Sequence, residues 1–324
     1  MKEFIAYKKI IEEYIDSNIP RISPAELYEP YKYLLQLPSK RIRPIMLLAI
    51  HDCFREINDD ALNCAMTIEL FHNFTLMHDD IMDKSDTRRG MATVHKKYNE
   101  NIAILSGDVL LILTYQLLEK HLDSPNFNQI FKLYNKTAIE ICSGQQLDMN
   151  FETQYQISEM EYLLMIEYKT AVLLATSMKI GAILGNANSE DSNNIYKFGL
   201  NIGMAFQIQD DLLDSFGNTS DTGKIVGGDI CNNKKTLLMI KAMQSPNRYH
   251  KELINNWLQT QEFNQQKIMD FKTIFEESGA YKYTVAKRDA YFDKAIEFLN
   301  KTSISEPNKL QLTNFAQKAT VRIQ

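Results

Sequence analysis

The chain has 324 residues, of which 44% are hydrophobic and 24% charged, with a formal net charge of −5. That near-balance, without a long basic stripe, excludes the electrostatic footprint of a nucleic-acid binder, so any anionic ligand must be met by local cations. The 12 Gly and 8 Pro suit long helices better than turn-dense β architecture, and the four cysteines, with no CxxC pair, indicate neither a disulfide framework nor a zinc site and fit a reducing cytoplasm.

Apolar residues recur at three- and four-residue steps along most of the sequence, and sustained Val/Ile/Thr alternation is missing, so the fold class is all-α. Breaks rich in Gly, Pro, Asn, Asp or Ser fall at NIPRISP, HLDSPNFNQ, NANSEDSNN, SFGNTSDTGKIVGGD, MQSPNRYH and TSISEPNK. They divide the chain into roughly ten helices. None is long or biased enough to be a flexible interdomain linker, so the expectation is one domain over residues 1–324.

In chain order, the first twenty residues form an amphipathic pattern interrupted by Glu3, Glu12, Glu13 and Asp16, unlike a signal peptide. PSKRIRP then supplies Lys40, Arg41 and Arg43. The next apolar helix ends in FHNFTLMHDDIMDKSDTRRG, where Asp79 and Asp83 lie one turn apart with Asp80 beside them. Such crowding destabilises a helix unless cations neutralise it, and hard carboxylate oxygens near a diphosphate suit magnesium. A solvated acidic helix end would account for a single DDxxD equally well. Arg88 and Arg89 follow at once. The stretch Ile102 to Leu118 is the most membrane-like, but Ser106, Gly107, Asp108 and Gln116 interrupt it and it is short of a full span, so a buried or interfacial helix is expected. Further on, FQIQDDLLDSFG repeats the acidic spacing with Asp210, Asp211 and Asp214. Two chance copies are improbable. Lys169, Lys224, Lys234 and Lys235 are further cations, each able to hold phosphate oxygens and each equally able to be a surface residue. Four of the twelve glycines, Gly217, Gly223, Gly227 and Gly228, crowd the break after the second cluster.

Taken together, these segments resemble the trans-type isoprenyl diphosphate synthases, the polyprenyl synthetase family. PSKRIRP is similar to the family's GGKRxRP, MHDDIMDKSDTRRG to its first aspartate-rich motif with trailing RRG, EYKTA to its Lys-Thr element, FQIQDDLLD to its second aspartate-rich motif, and TGKIVGGDICNNKKT to the lysine stretch after it. The resemblance implies a bundle of ten or more helices around a central active-site cavity. It implies that Asp79 and Asp83 bind two magnesium ions and Asp210 a third, with Asp80, Asp211 and Asp214 as supporting carboxylates. Arg88, Lys169 and Lys224 would contact the allylic diphosphate, with Lys234 nearby, and Lys40, Arg43, His72 and Arg89 would hold isopentenyl diphosphate. Thr170 and Gln207 resemble residues that flank the allylic cation. Pro38-Ser39 stands where the family usually has Gly-Gly, which puts the placement of Lys40 in question.

The implied reaction is ionisation of an allylic diphosphate, attack by the isopentenyl double bond and loss of a proton. Phe74 and Thr75, five and four residues before Asp79, are candidates for the wall of the product pocket, and Phe71 for a deeper stop. A bulky residue beside a small one leans to a C20 product, geranylgeranyl diphosphate, over C15, farnesyl diphosphate. Phe71 and Phe74 could also be ordinary core aromatics. The alternatives are a class I terpene cyclase, or a noncatalytic regulatory subunit of a prenyl synthase. By analogy with the family a homodimer is expected, with Ile102 to Leu118 as an interface element, no stable membrane insertion, and a cytoplasmic location.

Overall fold

Helices carry nearly all of the regular structure in the computed structural model, which describes residues 1–18, 23–217, 226–260 and 262–320. The chain divides into two interleaved compact units, Met1–Lys136 with Thr176–Tyr196 and Ser303–Asn308, and Thr137–Ala175 with Lys197–Thr302 and Lys309–Gln324.

The first unit holds α1 (Phe4–Asn18), α2 (Ala25–Gln36), α3 (Ile42–Asp52), α4 (Asp59–Met82), a short α5 (Val94–Lys97) and α6 (Glu100–Glu119). Its central element is α4. Asn58 caps it by accepting from Ala61 N at 3.0 Å, and Asp59 and Asp60 sit in its first turn, where the positive end of the helix dipole favours anions. Apolar residues alone do not fill its buried face. Ile68 and Phe71 are joined there by Glu69, Asn73 and Asp80, so the helix buries a polar stripe beside an apolar one. α4 packs on α6 and α3. Among the described residues the only strands are Thr87–Arg88 and Met91–Ala92, an antiparallel pair.

The second unit carries α8 (Glu159–Ile166), a π-helical turn at Glu167–Ala171, the first turn of α9 (Val172–Leu184) and the greater part of α10 (Ser189–Phe216). Both α8 cap partners act, since Ser158 Oγ accepts from Glu161 N and the Glu161 carboxylate accepts from Ser158 N. Its core gathers Ile208, Leu212, Leu237, Phe271 and Phe275, all nearly inaccessible to solvent. The helix α7 (Phe127–Thr153) contributes its later turns here and its first turns to the other unit. None of the four cysteines is in a disulfide.

Candidate active site

In the first unit the site begins at the turn that opens α3. Arg41 takes a left-handed conformation with φ 49°, and its N–H donates to Ser39 Oγ at 3.3 Å. Neither Pro38 nor Ser39 has a positive φ, and the left-handed position in this turn is Arg41. That turn separates the cations of PSKRIRP. Arg41 points inward and donates to the buried Glu69 carboxylate and to Leu35 O, Lys40 stays exposed, and Arg43 reaches the His72 ring, its Nη1 3.1 Å from Nε2.

His72 therefore accepts and is neutral. Burial, reinforced by Arg43, Arg89, Arg88 and Arg41, holds it well below its ordinary pKa. Burial likewise brings Arg43 down to about 10 against the pull of Glu69, and lowers Arg89. Three guanidinium donors in this cluster, Arg41 Nε, Arg43 Nε and Arg89 Nη1, are buried with no hydrogen-bond partner in the protein. Unpaired buried donors among several arginines are what an anion would satisfy.

The RRG segment makes a two-residue hairpin. Arg89 (φ 54°) and Gly90 (φ 78°) are its central residues, and the register pairs Thr87 with Ala92 and Arg88 with Met91. Two consecutive positive φ values are the signature of a hairpin turn that fits strand twist, and Gly supplies the second without strain. The hairpin returns Arg88 to α4, where its Nε lies 2.7 and 2.9 Å from the Asp80 oxygens and its Nη2 2.6 Å from Oδ1.

The first acidic cluster is thereby sorted. Asp80 is buried and both of its oxygens accept from Arg88. Asp79 is half-buried and Asp83 exposed, at a helix C-terminus with no basic residue in its last turn. The helix dipole is negative there, so stacked carboxylates call for a cation. Phe74 packs edge-on against the His78 ring at 4.8 Å and lies 5.6 Å from Phe71, which is buried against Tyr134. Phe71 is thus a core aromatic, while Phe74 and Thr75 remain half-exposed.

In the second unit Lys169 and Thr170 lie in the π-helical turn, a local widening that often marks functional positions. Two glycines press on that turn. A Cβ at Gly144 of α7 would stand 2.4 Å from Lys169 N, and one at Gly203 of α10 would stand 2.6 Å from Ala171 Cα. Lys169 Nζ donates to Asp148 Oδ2 at 2.5 Å. Thr170 Oγ1 donates to Gln207 Oε1 at 2.9 Å, Gln207 Nε2 donates to Asp211 Oδ1 at 2.9 Å, and Tyr162 OH donates to Asp211 Oδ2 at 2.6 Å.

Asp211 is thus an internal acceptor, with one protein donor on each oxygen. Burial and the nearby Asp229 push its carboxyl up to about 8 despite its two donors. Asp210, one residue earlier, is exposed, and Asp214 accepts from Asp229 N at 2.8 Å. Lys234 is exposed, 4.0 Å from Asp229. The turn behind it is held by a buried lysine, Lys267, which donates to Cys231 O, Asn233 Oδ1 and Thr260 O. Lys224 lies outside the described residues.

Among the described residues no three His, Cys, Asp or Glu side chains are grouped as a metal cage. The carboxylates that remain are few and hard, which fits magnesium, an ion that keeps several waters and takes the rest of its shell from substrate phosphates.

An all-helical chain with an orphaned arginine cluster and two helix ends each bearing DDxxD is built to handle diphosphates and divalent cations. The family model described as polyprenyl synthetase matches residues 24–277, and the chain belongs to that family. A geranylgeranyl diphosphate synthase of Sulfolobus acidocaldarius is 36% identical over 317 residues, covering 97% of this chain and 94% of the relative. One from Methanosarcina mazei is 41% identical over 235 residues, 72% of each chain. A crystal structure of a geranylgeranyl pyrophosphate synthase superposes with a TM-score of 0.93 at 39% identity, covering all of both chains.

The sequence motifs pointed to the Asp clusters and their cations, but not to Glu69, Asp148, Tyr162, Gly144 or Gly203. The spacing of EYKTA carries no sign of Asp148, some twenty residues upstream. Only the folded contact reveals it.

Proposed function

We propose that this chain is a short-chain trans-prenyltransferase. It condenses isopentenyl diphosphate with dimethylallyl, geranyl or farnesyl diphosphate, releases diphosphate and stops at geranylgeranyl diphosphate, C20, with C15 the nearest other endpoint. The observation that carries this reading is the presence in one chain of two DDxxD helix ends and an arginine cluster that has buried donors to spare.

Asp79, Asp83 and Asp210 would hold three magnesium ions with the allylic diphosphate. When bound, magnesium acts as a Lewis acid on the diphosphate that leaves the allylic carbon. Arg43, Arg89, Lys40 and neutral His72 grip isopentenyl diphosphate. Arg88, Lys169, Lys224 and Lys234 neutralise the allylic diphosphate. Thr170 donates its proton to Gln207, which leaves its oxygen lone pairs for positive charge growing on the allylic carbons. No protein nucleophile is needed, and the departing diphosphate takes the proton. Holding both substrates in line supplies much of the remaining rate.

The chain works as one polyprenyl synthetase domain in the cytoplasm, and two copies pair through α6. That helix is long and apolar enough to cross a membrane by length and composition, but its exposed Ile104, Leu105 and Ile112 serve a protein partner on this reading. A terpene cyclase needs one diphosphate site, so the second DDxxD and the Lys40, Arg43 and Arg89 set speak against it. A regulatory subunit would be expected to have lost one Asp cluster.

Incubation with radiolabelled isopentenyl diphosphate, magnesium and each allylic primer tests the proposal. A C20 product supports it. Cyclised hydrocarbon formed from geranylgeranyl diphosphate alone would replace it with the cyclase.

A further inference from the structure

The one-turn helix Gly228–Cys231 follows the second acidic cluster and carries Asp229, and the chain beyond it turns back through Asn232, Asn233 and Lys234. Its start is tied to that cluster. Gly227 N donates to Asp214 O at 2.7 Å, and Asp229 N donates to Asp214 Oδ1 at 2.8 Å. Its end is a left-handed cap, in which Asn233 takes φ 55°, Asn233 N donates to Ile230 O at 3.2 Å and Lys234 N donates to Asp229 O at 2.9 Å. This double closure, commonly built on glycine, brings together the side chains at its two ends. Here they are Asp229 and Lys234, whose ammonium stands 4.0 Å from Asp229 Oδ1.

Both ends of the one-turn helix rest on two consecutive residues of the helix Gln265–Glu277. Ile268 closes on Gly227 so tightly that a Cβ there would stand 2.6 Å from Ile268 Cδ1. Lys267, wholly buried, donates to Cys231 O at 3.2 Å, to Asn233 Oδ1 at 2.7 Å and to Thr260 O at 2.7 Å. Asn233 Nδ2 in turn donates to Leu258 O and Thr260 O, at 3.2 and 3.1 Å. Three carbonyl oxygens match the three N–H of an ammonium. Packing alone asks for no such group, since an apolar side chain fills the same space without desolvating a charge. What the ammonium adds is a fixed point that joins the Asn233 cap to the segment at Thr260.

We propose that Lys267 is a positioning residue for the allylic diphosphate: through Asn233 it fixes the turn that sets the Lys234 ammonium beside Asp229. The proposal rests on the reading of this chain as a prenyltransferase whose Lys234 neutralises that diphosphate. Lys267 itself has no exposed surface and touches no substrate.

Calorimetric binding of farnesyl thiodiphosphate, an unreactive allylic analogue, to the full-length chain in magnesium tests the assignment. Lys234→Ala should weaken binding about tenfold, the loss of one charge-assisted contact. Lys267→Met should weaken it about as much, and Lys234→Ala placed on top of Lys267→Met should add less than about twofold, because a displaced ammonium has nothing left to lose. Asn233→Gly carries the test where Lys267→Met does not fold, since glycine keeps the left-handed cap and removes the tie. It should melt cooperatively and show the same loss and the same lack of additivity with Lys234→Ala. The affinity for isopentenyl diphosphate should stay at the parent value in every variant. Losses that multiply, or parent-like binding by Asn233→Gly, would overturn the proposal. An equal loss of isopentenyl diphosphate affinity would also overturn it, as the mark of a merely structural role. Failure of the prenyltransferase reading shows separately, as a parent chain that neither transfers isopentenyl units nor binds the analogue, and would take this proposal with it.

Discussion

Asp80 accepts a forked pair of hydrogen bonds from Arg88, with Arg88 Nη2 2.6 Å from Asp80 Oδ1. The second aspartate of the first cluster is therefore engaged within the protein, while Asp79 is half-buried and Asp83 exposed. Removing either partner of a buried pair strands the other. Arg88→Ala should cost about 3 kcal/mol of stability, and Arg88→Lys should restore only part, because lysine lacks the planar fork. Asp83→Ala, at an exposed helix end, should leave stability within about 0.5 kcal/mol while activity collapses. Urea unfolding paired with a rate assay separates the two behaviours.

Lys169 and Thr170 owe their position to two bare Cα atoms. A methyl at Gly203 would come within 2.6 Å of Ala171 Cα, a backbone atom that cannot swing aside. Gly203→Ala should displace the π-helical turn and lower kcat about 100-fold, with a soluble protein that still melts cooperatively. Steady-state kinetics beside a thermal melt would check this, and an unchanged kcat would mean that the turn is not a positioning device.

Glu159 links Lys241 at 2.6 Å, Lys287 at 2.8 Å and the Tyr283 hydroxyl at 2.9 Å. Burial alone would raise its pKa, but these partners outweigh burial and bring it to about 2. Because the folded value lies below the ordinary carboxylate value, the stabilisation is full above that ordinary value and fades as pH falls toward 2. Glu159→Gln should cost about 1–2 kcal/mol at pH 7, discounted for partial exposure. The gap between variant and parent should close on acidification, as followed by urea midpoints at a series of pH values.

Phe74 and Thr75 remain half-exposed, whereas Phe71 is locked against Tyr134. Thr75→Phe should shift the product to C15, and Phe74→Ala should carry it past C20. Phe71→Ala should act mainly on stability, costing about 3–5 kcal/mol as a core truncation. Chromatography of the dephosphorylated products, with a melt of each variant, distinguishes the two kinds of effect.

The helical class was legible because apolar spacing is a local signal, and the acidic clusters were legible because their chemistry is packed into five residues each. What was not legible depends on contacts far apart in sequence. DDxxD alone does not say that Asp80 will turn to Arg88, or that Asp211 will be buried under Tyr162, since each outcome needs a partner placed by another element. PSKRIRP reads as three similar cations, yet the left-handed turn at Arg41 sends that one inward to Glu69. Gly144 and Gly203 look like ordinary interruptions in apolar helices until the backbone they touch is seen.

The most direct test of the account compares the parent chain with Asp79→Asn in magnesium-dependent transfer of radiolabelled isopentenyl diphosphate to farnesyl diphosphate. The account predicts a C20 product from the parent and a rate lower by about 1,000-fold in the variant, with an unchanged melt. Equal rates in the two proteins, or transfer that persists in excess chelator, would contradict it.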